Sequence, residues 1–340
     1  MGQNTIEVLI TLPFNETQVK RLSEISPRLH ITVQATRRME DISADLWRKV
    51  EILYTDRVIP DPEMVPNLRW VQFHFAGIDH AIDSDLLQHA DVIATSLSGA
   101  NIIQSAEYAV MMMLAQGHRM PELAANQARA EWPRDRWERF APQELAESTV
   151  GIVGYGSIGR QVARLLQPFG ATVVACKRDV MRPDDKGYVP DGLGDPQGDF
   201  FTRLYPFQAL HSMLKICDFV LVSVPLTPET QNMIGAPEFE IMKPTAFLVD
   251  LSRGKVVNHE ALIQALQDHK LAGAALDVFP EEPLPPTSPL WHLPNVIITP
   301  HISGISPNYN DRAVDLFAEN LNRYLVNVPL YNQFDLQKGY

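Results

Sequence analysis

Cysteine is almost missing from this chain: Cys176 and Cys217 are its only two in 340 residues, and no metal-type spacing joins them. A disulfide framework and a zinc site are therefore excluded, and no metal is expected; both thiols read as buried and reduced. Positive charge is also short, with 29 Lys and Arg against 41 Asp and Glu and a net charge of -12. A nucleic-acid partner needs a basic face, so none is expected, although a small anion in a locally basic pocket stays open. Apolar runs all fall short of a membrane span, and Met1-Gly2-Gln3-Asn4-Thr5 carries no basic segment ahead of a long apolar stretch. A soluble, cytoplasmic protein with no membrane partner follows as the expectation. Internal repeats and low-complexity tracts are lacking too.

What is present is ordinary globular material, 45% hydrophobic and 21% charged, long enough for two domains with separate cores. Short apolar runs alternate with helical patterns. Ile6 to Leu12, Leu29 to Val33, Val50 to Tyr54, Leu68 to Phe75 and Asp91 to Ala94 read as buried parallel strands. Asn101 to about Gly117 reads as one long buried helix leaving the first domain, with Met111, Met112 and Met113 as core packing. A polar stretch holding Trp132, Pro133, Trp137 and Pro142 follows. Tryptophans in an irregular arm point either to contact with another subunit or to folding against their own domain.

Further strands are expected at Asp218 to Val224, Ala246 to Asp250, Ala272 to Asp277 and Asn295 to Thr299, with a helix at His259 to Asp268, giving one six- or seven-stranded sheet. The Gly-, Pro- and Asp-rich segment Asp179 to Phe207 reads as an excursion of turns or a hairpin. An amphipathic helix at Ala313 to Tyr324 is expected to return to the first domain and make it discontinuous. The fold class is thus α/β, with two doubly wound parallel-sheet domains. Residues 1–100 and 307–340 are expected to form one discontinuous domain, and residues 101–306 the other.

The most informative stretch is Val150-Gly151-Ile152-Val153-Gly154-Tyr155-Gly156-Ser157-Ile158-Gly159, an apolar strand running into G-x-G-x-x-G and then into a helical pattern. Gly154 permits the tight turn, Gly156 leaves room for a pyrophosphate, and Gly159 lets helix pack on strand, with the anion at the helix N-terminus. The following helical run from Gln161 and the strand Ala171 to Ala175 complete a βαβ unit. A Gly-rich turn of purely structural use is the competing reading.

Three polar residues lie just past expected strand ends: Arg253, Glu282 and His301. In an open α/β sheet the carboxyl ends of the strands face the ligand crevice, so all three are candidates to meet there. An Arg grips a carboxylate bidentately and polarises a neighbouring carbonyl; a His exchanges the proton that accompanies hydride transfer; a Glu bonded to that His fixes its tautomer. Taken singly they also read as a helix-start phosphate contact, a solvated loop acid and a core histidine.

Five motifs in order make the chain similar to the D-isomer-specific 2-hydroxyacid dehydrogenase family over nearly its whole length. They are Gly154 to Gly159; Val224-Pro225-Leu226-Thr227-Pro228-Glu229-Thr230; Met242-Lys243-Pro244 leading to Ser252-Arg253-Gly254; Gly273 to Phe279 with Glu282-Pro283-Leu284; and Pro294-Asn295-Val296 with Thr299-Pro300-His301. The resemblance implies that Arg253 binds the substrate carboxylate and carbonyl, that His301 is the acid/base and that Glu282 is its partner. It implies cofactor contacts at Gly154, Gly156, Ser157, Ile158, Gly159, Pro225, Thr230, Leu251 and Gly304, and that Asp277 holds the nicotinamide carboxamide. Phe75-Ala76-Gly77-Ile78-Asp79 resembles the substrate loop, where the backbone N–H groups of Ala76 and Gly77 receive the carboxylate. Ser98, a further substrate contact, and Gly99 resemble the start of the interdomain connection, with Asn101 near the cleft. A homodimer is implied as well, with residues 1–100 and 307–340 as a flavodoxin-like, discontinuous substrate domain and residues 101–306 as a Rossmann NAD(P)-binding domain.

Two departures stand out. Where NAD-specific relatives carry an acidic residue for the ribose hydroxyls, this chain reads Ala175-Cys176-Lys177-Arg178, and two cations attract a 2′-phosphate instead. NADP(H) is therefore favoured, with NAD(H) the alternative. Asp250 replaces the usual Asn ahead of the Arg motif, a change expected to alter local charge without being felt by the fold. The expected activity is reduction of a small 2-oxo acid, glyoxylate or hydroxypyruvate by family analogy. The alternatives are an NAD-dependent D-2-hydroxyacid or phosphoglycerate-type dehydrogenase and a non-enzymatic dinucleotide-sensing corepressor. Glu282 speaks against a formate dehydrogenase, where Gln stands in its place, and the lack of an extra regulatory domain speaks against many phosphoglycerate dehydrogenases.

Overall fold

Runs that are apolar at every position become strands because a parallel sheet covered by helices on both faces gives each side chain of a central strand an apolar neighbour. The computed structural model describes residues 5–88, 92–336 and 338–339. The chain divides into two units, Met1–Asn101 with Ser306–Tyr340, and Ile102–Ile305.

The first unit is built on β1 (Ile6–Ile10), β2 (Leu29–Val33), β3 (Ile52–Thr55), β4 (Trp70–Phe73) and β5 (Ile93–Thr95), all parallel, in the order β2-β1-β3-β4-β5. That is the flavodoxin-like order, whose direction reverses between β1 and β3. Every residue of β3 and β4 is buried. The helix Tyr309–Leu325 belongs to this unit and sets Phe317 against Tyr54 and Trp70, with ring centroids 4.8 and 5.3 Å apart. Residues 1–4 and Asp91, which the sequence reading placed in the N-terminal segment and the fifth strand, lie outside the described residues.

The second unit is built on β6 (Thr149–Val153), β7 (Thr172–Cys176), β8 (Arg203–Tyr205), β9 (Phe219–Val222), β10 (Phe247–Asp250), β11 (Gly273–Leu276) and β12 (Val296–Ile298). These form one parallel seven-stranded sheet in the order β12-β11-β10-β9-β6-β7-β8. The order reverses between β6 and β9, the Rossmann switch point. β9, β11 and β12 stop one or two residues short of their sequence-based ends, because Val224, Asp277 and Thr299 already belong to the segments that leave the sheet, whereas β10 ends at Asp250 as expected.

One expectation needs correction, and two readings left open are narrowed. Met112 and Met113 are buried, but Met111 is 50% exposed. Successive residues on a helix point 100° apart, so three in a row outrun one buried face. The segment Asp179 to Phe207 contains no hairpin: it runs through turns and then supplies β8, a parallel edge strand. It is held by buried polar groups on the helix Ser157–Leu166. Arg160, fully buried, donates to the carbonyls of Asp195 and Pro183, while Gln161 accepts the Gly194 N–H at 2.6 Å. The Asp195 carboxylate accepts Tyr155 O–H at 2.6 Å and the N–H groups of Gly198, Asp199 and Phe200. Finally, Trp132 and Trp137 are not folded against their own unit; they are 82% and 78% exposed, with the Arg136 guanidinium 4.7 Å from the Trp137 ring centroid.

Among the described residues, no helix is long and apolar enough to cross a membrane, and no group of three or more His, Cys, Asp or Glu side chains is placed to hold a metal ion. Cys176 and Cys217 are free and buried, and burial pushes each thiol up to about 12.

Candidate active site

The glycine turn follows β6 at the switch point of the second unit, and its three glycines are required for different reasons. A Cβ on Gly154, which has φ +102°, would lie 2.8 Å from Val224 Cγ1 and 3.0 Å from the Ser223 carbonyl. One on Gly159 would lie 2.5 Å from the Gly154 oxygen and 2.8 Å from Ile152 Cγ2. Around Gly156 a Cβ would meet nothing within 4 Å. The protein's own packing thus demands the first and third glycines, while no packing within the chain demands the second. With Gly156 as the N-cap and Ser157 and Ile158 opening the ten-residue helix Ser157–Leu166, the turn fits a dinucleotide pyrophosphate.

Beyond β7, the Lys177 ammonium is half-buried and donates to the carbonyls of Arg182 and Asp184 at 2.6 and 3.2 Å. Desolvation, then the nearby Arg160 charge, lowers its pKa. Arg178 is exposed and pairs with Glu229 at 3.0 Å. Past β9, Thr230 is buried and its hydroxyl is spent inside the turn, donating to the Pro225 carbonyl at 2.6 Å and accepting the Thr227 N–H at 2.8 Å. Thr230 and Pro225 therefore shape this loop together.

β10 ends at Asp250, followed by buried Leu251 and Ser252 and half-buried Arg253. The fold does feel Asp250, contrary to expectation: the residue is fully buried and its Oδ2 has no hydrogen-bond partner. Removing a carboxyl from water raises its pKa to about 7, against the pull of its bonds from Ser252. Arg253 Nη1 donates to the Ser252 carbonyl at 2.8 Å. A Cβ on Gly254 would collide with the Phe279 carbonyl, so this glycine lets the Arg253 loop lie flush on the backbone that leads to Glu282.

Glu282 and His301 are brought together: His301 Nδ1 lies 2.8 Å from Glu282 Oε2, and Glu282 Oε1 accepts the Phe279 N–H at 3.0 Å. His301 has φ +54°, a left-handed conformation unusual for a residue with a Cβ, and the surrounding bonds impose it. Asp277, fully buried at the end of β11, supplies most of them. Its Oδ1 accepts Thr299 Oγ–H at 2.6 Å and the Ile302 N–H at 2.9 Å, and its Oδ2 accepts the Ser303 N–H at 2.8 Å. Three of roughly four acceptor positions on this carboxylate are therefore used to hold the His301 loop.

Sequence reasoning placed the helix Ile102–Gly117 but missed that its polar residues hold this loop from behind. Gln104 donates to the Gly304 carbonyl at 2.7 Å, Ser105 to the Ser303 carbonyl at 3.2 Å, and Tyr108 O–H meets Thr299 Oγ1 at 2.5 Å. Burial pushes the Tyr108 phenol up to about 12, so it stays protonated. The signal was available: Gln104, Ser105 and Tyr108 sit at helical i, i+1, i+4 spacing inside a mostly apolar helix.

In the first unit, Ala76 is exposed and Gly77 half-buried in the loop after β4, and Ser98 is half-buried after β5. The Leu97 N–H donates to the Phe75 carbonyl at 3.1 Å, which ties the two loops, and Asn332 donates to the Ser98 carbonyl at 2.7 Å. Asn101, the last residue of this stretch, keeps a buried Oδ1 without a partner.

The family model described as D-isomer specific 2-hydroxyacid dehydrogenase, NAD binding domain, matches residues 110–303. A glyoxylate reductase of Thermococcus gammatolerans is 35% identical over 260 residues, 75% of this chain and 73% of that protein. A D-3-phosphoglycerate dehydrogenase of Methanocaldococcus jannaschii is 29% identical over 98% of this chain, which spans 62% of that relative's length. Among solved structures, a D-isomer specific 2-hydroxyacid dehydrogenase from Xanthobacter autotrophicus Py2, in complex with NADPH and MES, matches with a TM-score of 0.80 at 27% identity, over 99% of this chain and 100% of that one. The sheet orders, the glycine turn and these likenesses agree: the chain belongs to the D-isomer specific 2-hydroxyacid dehydrogenase family.

Proposed function

We propose that the protein reduces a small 2-oxo acid, glyoxylate or hydroxypyruvate, to the 2-hydroxy acid, with NADP(H) preferred over NAD(H). The observation that carries this reading is the 2.8 Å contact of His301 with Glu282 at the ends of β12 and β11, next to the β10 end that carries Arg253. When bound, the dihydronicotinamide supplies a hydride. With Nδ1 engaged by Glu282, His301 presents Nε2 as the nitrogen that delivers a proton to the carbonyl oxygen. Arg253 grips the carboxylate and polarises the carbonyl. Asp277 keeps the His301 loop in register and has one acceptor position left for the carboxamide. Gly154, Gly156 and Gly159, with the N–H groups of Ser157 and Ile158, hold the pyrophosphate, flanked by Pro225, Leu251 and Gly304. In the first unit, the backbone N–H groups of Ala76 and Gly77, with Ser98, are the proposed substrate contacts.

NADP(H) is supported by the cations Lys177 and Arg178 and by the NADPH held in the Xanthobacter relative. Because Lys177 already donates to two carbonyls, Arg178 carries most of the phosphate reading. The same bonds, and the Arg178 pairing with Glu229, favour NAD(H) as the second reading, and with it an NAD-dependent D-2-hydroxyacid or phosphoglycerate-type dehydrogenase. The exposed Trp132 and Trp137 support a homodimer, and the cytoplasm is the proposed location. A panel of 2-oxo acids assayed with NADPH and NADH tests the whole reading. Turnover of glyoxylate or hydroxypyruvate with NADPH is expected. Tight cofactor binding with no turnover on any 2-oxo acid would leave the corepressor-like alternative instead.

A further inference from the structure

We propose that Asp250 is a positioning residue for Arg253, acting through Ser252 as a neutral acid, and that its ionisation loosens the grip on a carboxylate substrate. This rests on the reading of Arg253 as the carboxylate-binding residue. Asp250 Oδ1 accepts both the N–H and the O–H of Ser252, at 2.9 and 2.5 Å, and so fixes the Ser252 peptide. The carbonyl of that same residue receives Arg253 Nη1 at 2.8 Å. The carboxyl thus reaches the guanidinium through one serine.

The second oxygen decides the protonation state. Oδ2 is buried and has no partner, an unfavourable place for half of a carboxylate but a tolerable one for a hydroxyl. The charged groups that bear on it are Asp277, from the end of β11, and Arg253, on its own loop; from β9 its register partner is the apolar Val222. Asp277 has three donors on its carboxylate, whereas Asp250 Oδ2 has none, so Asp250 Oδ2 is an oxygen suited to carry a proton. Burial raises its titration to about 7. Once ionised, Asp250 sets a negative charge beside the guanidinium, which competes with the substrate carboxylate for Arg253 and repels it. An Asn at this position keeps the Oδ1 acceptor, offers an N–H₂ in place of the hydroxyl, and does not titrate.

The test measures KM and kcat for glyoxylate with saturating NADPH from about pH 5.5 to 8.5, in the wild type, D250N and S252A. It is paired with thermal unfolding of the cofactor-free wild type and D250N. Wild-type KM is expected to rise about tenfold as pH passes through 7, beyond any change in D250N, whose KM stays at the low-pH value. S252A, which cuts the link, is expected to show a raised KM at every pH with kcat nearly unchanged. The unfolding temperature of D250N is expected to exceed that of the wild type by a margin that grows between about pH 4 and 7 and then levels off. A KM profile in D250N that climbs like the wild type, or a margin that does not depend on pH, overturns the proposal. Arg253→Gln separates the two readings: an unchanged KM in that variant would dispose of Arg253 as carboxylate ligand whatever Asp250 does.

Discussion

Glu282 divides its two oxygens between backbone and imidazole: Oε1 takes the Phe279 N–H at 3.0 Å, and Oε2 meets His301 Nδ1 at 2.8 Å. One end of the carboxylate is therefore tied to the loop that leaves β11, and the other sets the ring. Glu282→Gln can still accept the Phe279 N–H, but it turns an amide N–H₂ toward Nδ1 and so favours the ring unprotonated there, without the charge that stabilises an imidazolium. It is expected to lower kcat about 10–100-fold, the usual loss when the group behind a functional histidine is removed, with NADPH affinity unchanged. His301→Ala is expected to lose about 10²–10⁴-fold in kcat while still binding cofactor. Steady-state kinetics beside cofactor fluorescence titration reads both, and wild-type turnover by His301→Ala would remove the acid/base assignment.

Gly156 and Gly159 are expected to fail differently when each is changed to Ala. Gly156 has open space at its Cβ position and φ -91°, which Ala adopts freely, so Gly156→Ala is expected to keep the wild-type unfolding temperature and bind the dinucleotide at least tenfold more weakly. Gly159→Ala forces a methyl onto the Gly154 carbonyl and Ile152, and is expected to lose about 1–3 kcal/mol through overpacking. Calorimetry on both variants checks this; equal destabilisation would mean that Gly156 serves the fold and not a ligand.

Much of this was readable from residues. Strands such as β9 and β10 are apolar at nearly every position, so a buried parallel sheet followed directly, and the glycine turn marked its switch point. Arg253, Glu282 and His301 were found because each stands just past such a run. What stayed hidden depends on groups whose partners are distant in sequence. Asp195 looked like one more turn residue in a Gly- and Pro-rich segment, yet it is buried under Tyr155. Lys177 showed its charge, but the carbonyls that occupy it belong to a loop whose path no local pattern sets. Likewise, an Asp for Asn at 250 shows a charge change, while the orphaned oxygen appears only once neighbouring strands bury it.

Asp277 is expected to matter more for loop geometry than a single carboxamide contact would suggest. Asp277→Asn turns an amide N–H₂ toward donors now received by the carboxylate, which leaves the Ser303 N–H or the Thr299 hydroxyl facing another donor. A lost buried bond of this kind costs about 1–3 kcal/mol. Because the affected loop carries His301, kcat is expected to fall together with the unfolding temperature. Hydrogen exchange at Ile302 and Ser303 is the direct readout: faster exchange in the variant is expected, and unchanged protection would refute the anchoring role.

Arg178 and Lys177 are expected to differ although they are adjacent. Arg178→Ala removes an exposed guanidinium whose partner is Glu229, and is expected to weaken NADPH about tenfold and NADH less than twofold, as befits a charge-assisted phosphate contact. Lys177→Ala frees the carbonyls of Arg182 and Asp184, and is expected to loosen that segment and weaken both cofactors alike. Dissociation constants for the four combinations test this, and equal losses for NADPH and NADH in Arg178→Ala would favour the NAD(H) reading.

Two buried histidines are expected to lower stability toward acid pH. Burial lowers His74 and His259 from 6.5 to about 4; His74 Nδ1 meets Tyr54 O–H at 2.7 Å, and His259 Nε2 is buried without a partner. The unfolded chain protonates these rings near 6.5 and the folded chain only near 4, so between those values the unfolded state binds more protons and stability falls as pH falls. Asp250 acts oppositely, since its folded-state value of about 7 lies above the ordinary 3.8 and its contribution is lost as pH rises between the two. Each group contributes about 1.4 kcal/mol per pH unit at full slope, so two histidines outweigh one aspartate over the shared range. Urea unfolding at about pH 4.5 and 6.5 is expected to show lower stability at the acid end, with His259→Gln roughly halving the histidine part of the slope. Because Asp250 offsets one histidine, a wild-type profile flat across this interval would mean that the two rings are not both held neutral by burial.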